Sequence, residues 1–295
     1  MKFRHALGCL LMTLALLSVA HAQKNTSIAI SGSDTMLSLT QKFAEDYMKK
    51  HPNVQISVTG GGSGRGIADI TEGLVEIAQA SRKIKPEEIK KAQDNGYDPQ
   101  EHVAALDAIA VAVHKDNPMK EVSLAQLRAI YTGAVKKWNE IDPSLPATDI
   151  VPYSREANCG TYDFFKERVL QKADFAKNTS YLAATAAIVN TVASDKNAIG
   201  FGGVAYFVHD KNIRVLAVKE TKDKPAVLPV TADGSRVDFN VVQSGAYPIS
   251  RPLQYYTREP AAGDVKNFLD WTMSAEGQKI VGEMDYIPLA PSDAK

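Results

Sequence analysis

Three stretches of the sequence repeat one arrangement. An apolar run ends, a turn of small polar residues follows, and a helical pattern begins. The stretches are Gly32-Ser33-Asp34-Thr35-Met36, the glycine run Gly60 to Gly66 with Ser63 inside it, and Arg155 to Thr161, which holds Cys159 and Gly160. A helix start leaves backbone N–H groups without partners and carries partial positive charge. Glycine lets an anion approach the backbone, and Ser or Thr adds a hydroxyl donor, so each stretch is a potential anion cradle. Any one of them taken alone reads more readily as an ordinary helix cap. Three in one chain, two of them near an arginine, favour the anion reading. Arg155 precedes Gly160-Thr161, and Arg82 follows Ser81 at the end of an apolar strand. An arginine offers a planar fork to two oxygens of one anion. A tetrahedral oxyanion needs many donors, which three converging helix starts can supply.

Other chemistries fit poorly. The glycine run lacks the Gly-Lys-Ser/Thr of a phosphate-binding P-loop. It is not a nucleophile elbow, because Arg65 stands where that pattern needs glycine. No acidic signature of a dinucleotide fold follows it. His51, His102, His114 and His209 show no metal-ligand spacing and no C-x-x-C occurs, so neither a metal nor a cofactor is expected. Cys159 has no sequence neighbour that would act as a base, so thiol catalysis is not indicated and no enzymatic activity is expected.

These turns need elements to position them. Thr26 to Ile30 reads as a strand. Thr35 to Lys50 reads as an amphipathic helix, with Met36, Leu39, Phe43 and Tyr47 on one face and Ser33 or Asp34 as N-cap. Val54 to Val58 is a second strand, followed by a helix around Ile67 to Gly73. Val75 to Ala80 is a third strand, and Lys85 to Asp94 a helix opened by Pro86. Leu106 to His114 is continuously apolar, as in a strand buried on both faces. Further on, Ser123 to Thr132 and Thr161 to Leu170 read as helices. Ile150 to Tyr153, Ala198 to Phe201, Val204 to Val208 and Arg214 to Ala217 read as strands. Tyr247 to Leu253 holds two prolines and reads as an extended crossing segment. Asp264 to Glu283 reads as one closing helix. The alternation of strands and helices predicts an α/β fold with a largely parallel sheet.

Composition bounds the partners. The 295 residues carry 34 basic and 34 acidic side chains, with 44% hydrophobic and 23% charged residues. Such values describe an ordinary globular chain and argue against a broad basic face for nucleic acid. Lys2 and Arg4 precede the apolar run Leu7 to Ala20, and Ala20-His21-Ala22 presents small residues at the positions a signal peptidase reads. Residues 1–22 are therefore expected to be a cleaved secretory leader, too short to span a bilayer. The remainder has 32 basic against 34 acidic residues and one cysteine, Cys159, so no internal disulfide is expected.

Taken together, several segments resemble the PstS-type phosphate-binding proteins of ABC importers, which share a periplasmic-binding type II fold. The segments are Gly32 to Met36, Gly61 to Ile67, Ala80-Ser81-Arg82 and Ser154 to Tyr162, with Ile130 to Gly133, Lys137-Trp138-Asn139, Ala198 to Phe201, Tyr247-Pro248-Ile249 and Ser274 to Lys279 in the same order. The resemblance implies two lobes, residues 23–107 with 249–295 and residues 108–248, closing on phosphate. It implies a ligand set of Ser33, Asp34, Thr35, Ser63, Ser81, Arg82, Arg155, Cys159, Gly160 and Thr161. It also implies a monomer that is periplasmic, binds inorganic phosphate and delivers it to the membrane permease subunits of an ABC transporter. Cys159 stands where the motif usually has serine, and a thiol is the weaker donor. Arg82 stands where relatives often have an aspartate that accepts the proton of hydrogen phosphate, which leaves Asp34 or Asp107 as alternative acceptors. Two other readings fit the same cradle: a receptor for sulfate, molybdate or tungstate, and a secreted phosphate-ester hydrolase.

Overall fold

The computed structural model describes residues 25–290, so the expected leader lies outside the described residues. The first half runs β1 (Thr26–Gly32), α1 (Leu37–Lys50), β2 (Val54–Gly61), α2 (Ser63–Thr71), β3 (Ile77–Ala80), α3 (Pro86–Asp94) and β4 (Gln100–His114). The middle runs β5 (Glu121–Ser123), α4 (Leu124–Tyr131), α5 (Trp138–Ile141), β6 (Val151–Arg155), α6 (Gly160–Arg168), β7 (Ser180–Leu182), α7 (Thr185–Ser194) and β8 (Ala198–Gly203). The last part holds β9 (Ile213–Val215), β10 (Ala217–Lys219), α8 (Phe239–Gln243), β11 (Ser250–Thr257), α9 (Gly263–Met273) and α10 (Ala275–Glu283).

The strands of the main sheet run in the order β2-β1-β3-β11-β4-β8-β6-β7, with β9 pairing β4. Pairing is parallel among β1, β2 and β3 and among β6, β7 and β8. It is antiparallel where β11 and β4 join these two groups. The α/β expectation is met, and the long apolar strand β4 explains how. Its first part pairs with β11, and Ile109 to Val113 pair with β8. One strand thus serves two cores. One core gathers Ile28, Leu39, Phe43, Tyr47, Leu253 and Phe268. The other gathers Ala108 to Val113, Tyr131, Phe165, Phe201 and Ile249. Burial of both faces requires an uninterrupted apolar run, and residues Ala108 to Val113 are fully buried. A proline within β11 removes a ladder donor, and Pro252 sits beside a register shift at Leu253/Gln254.

Four local expectations are corrected. Ser33 and Asp34 do not cap α1; Met36 holds the N-cap position without a side-chain bond. Helix α2 begins at Ser63 rather than near Ile67. Gly62, at φ +88°, turns the chain there, and a Cβ on it would lie 2.5 Å from the Asn158 carbonyl oxygen. Val204 to Tyr206 is a 3-10 turn, because the β4–β8 ladder ends at Ile109 and Gly203. The closing helix breaks in two at Ser274, whose Oγ accepts from the Gly277 N–H and starts α10.

Candidate anion-binding site

Strands β1, β2 and β3 run parallel, so the turns that follow them emerge on one edge of the sheet, where α/β folds hold ligands. The turn after β6 meets them from the other core. None of the three helices α1, α2 and α6 has its first turn closed by a capping side chain. One backbone and one side-chain bond clasp the turns together: Gly64 N–H donates to the Asn158 carbonyl at 3.1 Å, and Asn158 Nδ2 donates to the Gly61 carbonyl at 3.1 Å. Gly160 makes the tightest approach between the two sides. A Cβ there would lie 2.3 Å from Ser63 Oγ and 2.7 Å from Ser81 Oγ.

At this meeting point four hydroxyl side chains are fully buried: Thr35, Ser63, Ser81 and Thr161. Thr35 Oγ1 lies 3.1 Å from Thr161 Oγ1, and Ser63 Oγ lies 3.3 Å from Ser81 Oγ. The Ser81 N–H also donates to Ser63 Oγ at 3.0 Å. Ser33 is buried beside them, and its Oγ has no hydrogen-bond partner. Buried hydroxyls normally find partners, so the Ser33 Oγ keeps a donor and acceptor capacity that no described residue uses. Cys159 is buried at the N-cap of α6.

The two expected arginines differ. Arg155 is buried among acceptors. Its Nη2 donates to Asp34 Oδ2 at 2.9 Å and to the Ala183 carbonyl at 2.6 Å. Its Nη1 donates to Thr185 Oγ1 at 2.7 Å and its Nε to the Leu182 carbonyl at 3.1 Å. Asp34 Oδ1 in turn accepts from the Gly61 N–H at 2.9 Å, so both its oxygens are occupied and it ties the two cores together. Arg82 stands at the margin. It donates to both oxygens of Glu88 at 2.7 and 2.8 Å, and its Nε faces Asp163 at 2.9 Å as an ion pair without hydrogen-bond alignment. Burial works against the Arg82 charge, but Glu88 and Asp163 outweigh it and raise its pKa. Burial likewise opposes the Glu88 charge, yet the Arg82 guanidinium and the Lys85 N–H hold its carboxyl below the usual range. Next to Arg82 the cleft widens into a cavity of about 600 Å³ that Lys83, Lys85 and Lys166 also line.

Sequence reading misses one cation, Arg251 on β11. It is buried, and its Nε and Nη2 both donate to Asp107 Oδ2, at 3.0 and 2.9 Å. Its Nη1 donates to the Ser81 carbonyl at 2.8 Å, and its Nη2 to Thr161 Oγ1 at 2.9 Å. Two prolines and an extended pattern around it hinted only at a crossing strand. Burial pushes the Asp107 carboxyl up, against Arg251 and the amides of Val204 and Ala108, which favour its charged form. Asp107 Oδ1 makes no well-formed hydrogen bond. Among the described residues no cluster of His, Cys, Asp and Glu is arranged to hold a metal, and no helix is long and apolar enough to cross a membrane.

Comparison with known proteins extends this geometry. A family model described as a PBP superfamily domain matches residues 18–276. A Staphylococcus haemolyticus protein named phosphate-binding protein PstS is 33% identical over 252 residues, covering 84% of this chain and 76% of that one. A Pseudomonas aeruginosa protein of the same name is 32% identical over 273 residues, covering 88% and 81%. A solved chain from Clostridium perfringens, described as a phosphate ABC transporter substrate-binding protein with bound phosphate, superposes with a TM-score of 0.77. It is 32% identical, with 90% of this chain and 100% of that chain covered. Two cores bridged by crossing strands are the two-lobed, type II periplasmic-binding architecture that the sequence motifs implied. The chain belongs to the phosphate-binding PstS family within the PBP superfamily.

Proposed function

We propose that this protein is an extracytoplasmic receptor that binds inorganic phosphate between its two lobes and delivers it to the membrane permease of an ABC importer. The observation that carries the reading is the buried group of hydroxyls, Thr35, Ser63, Ser81 and Thr161, drawn from both sides of the cleft and set against three helix starts without side-chain caps. Hydroxyl and amide donors of this kind suit a dehydrated tetrahedral oxyanion. The relatives' names and the phosphate in the Clostridium perfringens structure support the same ligand. The ligand set comprises Ser33, Thr35, Ser63, Ser81, Gly160 and Thr161, with Cys159 contributing through its backbone. Arg155 and Asp34 shape the cradle by bracing its walls, and Arg82 supplies charge at its margin. Asp107 is the acceptor for the proton of hydrogen phosphate, since both Asp34 oxygens have partners.

The lobes comprise residues 23–107 with 249–295 and residues 108–248. Support comes from the division between the two cores, which falls at Ala105/Ala108 on β4 and at Ile249/Leu253 around β11, although Ile249 and Ile287 pack in the second core. Binding is reversible and non-covalent, with the lobes closing as a hinged pair. The protein acts as a monomer in the periplasm, and the leader at residues 1–22 supports export.

Titration calorimetry of the purified protein tests this reading. Saturable binding of one phosphate, with sulfate unable to displace it, is the expected result. No heat with phosphate but saturation with sulfate, molybdate or tungstate would move the protein to another oxyanion. Turnover of a chromogenic phosphate ester would indicate the hydrolase instead.

A further inference from the structure

We propose that Arg251 is a positioning residue of the anion site. It turns the Thr35 and Thr161 hydroxyls into donors toward the ligand and thereby couples binding to the meeting of the two lobes. The inference rests on the phosphate-receptor reading above.

The argument starts from hydrogen-bond inventory. A guanidinium has only donors, whereas a hydroxyl has one proton and two acceptor sites. Arg251 Nη2 donates to Thr161 Oγ1 at 2.9 Å and reaches Thr35 Oγ1 at 3.4 Å. An oxygen that accepts from Arg251 keeps its own proton free to point away from the guanidinium. Thr35 and Thr161 come from opposite sides of the cleft, one after β1 and one at the start of α6, and share a 3.1 Å hydrogen bond that a ligand oxygen would replace, releasing the second proton toward it. One cation therefore orients a donor on each lobe, and it reaches both only when the lobes meet.

Arg251 is itself fixed. It is the register partner of Asp107 across β11 and β4, the strands shared by both cores. Asp107 takes two of its N–H groups and the Ser81 carbonyl a third. Phe164 of α6 packs beneath the guanidinium, with its ring centre 5.5 Å away. A planar fork can bind a carboxylate and a hydroxyl together; a lysine ammonium at the same place loses that geometry while keeping its charge.

A double-mutant cycle on phosphate affinity separates orientation from simple support. Thr161→Val should weaken phosphate binding at least about tenfold in the wild-type background. Arg251→Lys should do the same. In the Arg251→Lys background, Thr161→Val should cost less than about threefold, because the hydroxyl there is no longer oriented. Equal costs in both backgrounds, or wild-type affinity in Arg251→Lys, would overturn the proposal. If Arg251→Lys melts far below wild type, Phe164→Leu removes the ring beneath the same guanidinium without deleting the arginine, and the Thr161→Val cost is measured there by the same criterion. Wild-type protein that binds neither phosphate nor sulfate would instead overturn the receptor reading itself.

Discussion

Arg155 and Arg82 look alike in the sequence, each an arginine beside a small-residue turn, yet they hold different positions. Arg155 is 1% exposed and braces Asp34 and two carbonyls, whereas Arg82 is engaged by Glu88 and Asp163. Arg155→Ala leaves Asp34 and the Leu182 and Ala183 carbonyls without their buried donor. Loss of charge-assisted bonds of ~1.5–3 kcal/mol should reduce phosphate affinity tenfold or more, read by calorimetry. Unchanged affinity would show that the cradle does not depend on Arg155. The hydroxyls were legible because each stands beside a turn whose spacing announces it. Arg251 was not legible, because its partners Asp107, Ser81 and Thr161 lie 90 to 170 residues away in the chain. Only the register of β11 on β4 brings them within reach. The surroundings of Arg82 were not legible for the same reason, since its carboxylate partners sit on α3 and α6, outside the motif that named it.

At the scale of elements, the three helix starts work because their turns interlock. Gly160 at the head of α6 is the tightest joint. A Cβ there meets two serine oxygens, Ser81 just after β3 and Ser63 at the start of α2, on the other side of the cleft. Gly160→Ala places a better helix former at an early helical position, so each lobe should remain folded. Closure, however, would have to displace Ser63 or Ser81. Overpacking of ~1–3 kcal/mol predicts an about five- to 150-fold loss of phosphate affinity with little change in melting temperature without ligand. A wild-type rise in melting temperature on adding phosphate would contradict this. Element types and order could be read from periodicity, but several boundaries could not. The start of α2 depends on Gly62 turning beside Asn158, and the break at Ser274 depends on a local cap, neither of which alters the apolar period.

For the whole molecule, charge and topology divide the work. From residue 23 on, the chain carries 32 basic and 34 acidic residues, so its overall field gives an incoming anion no attraction. Attraction must be local, and Lys83, Lys85, Lys166, Arg82 and Arg251 all line the cavity beside the cradle. The two-lobed plan was legible from the motif order. The sharing of β4 between both cores was hinted at only by its unbroken apolar run.

That sharing bears on how the chain tolerates being cut. Strand β11 lies in the middle of the sheet, between β3 and β4, although it arrives last among the strands. A nick in the exposed turn Thr221 to Pro225 would leave a long piece with ten strands and a short piece carrying α8, β11, α9 and α10. Neither piece owns a complete core, because Leu253 and Phe268 complete one and Ile249 completes the other. The two halves, expressed separately, should therefore associate and co-elute as one species on size exclusion, and phosphate should tighten their union. Halves that elute apart at every phosphate concentration would count against this. A receptor built this way is, in effect, a split reporter whose reassembly reads out its own ligand.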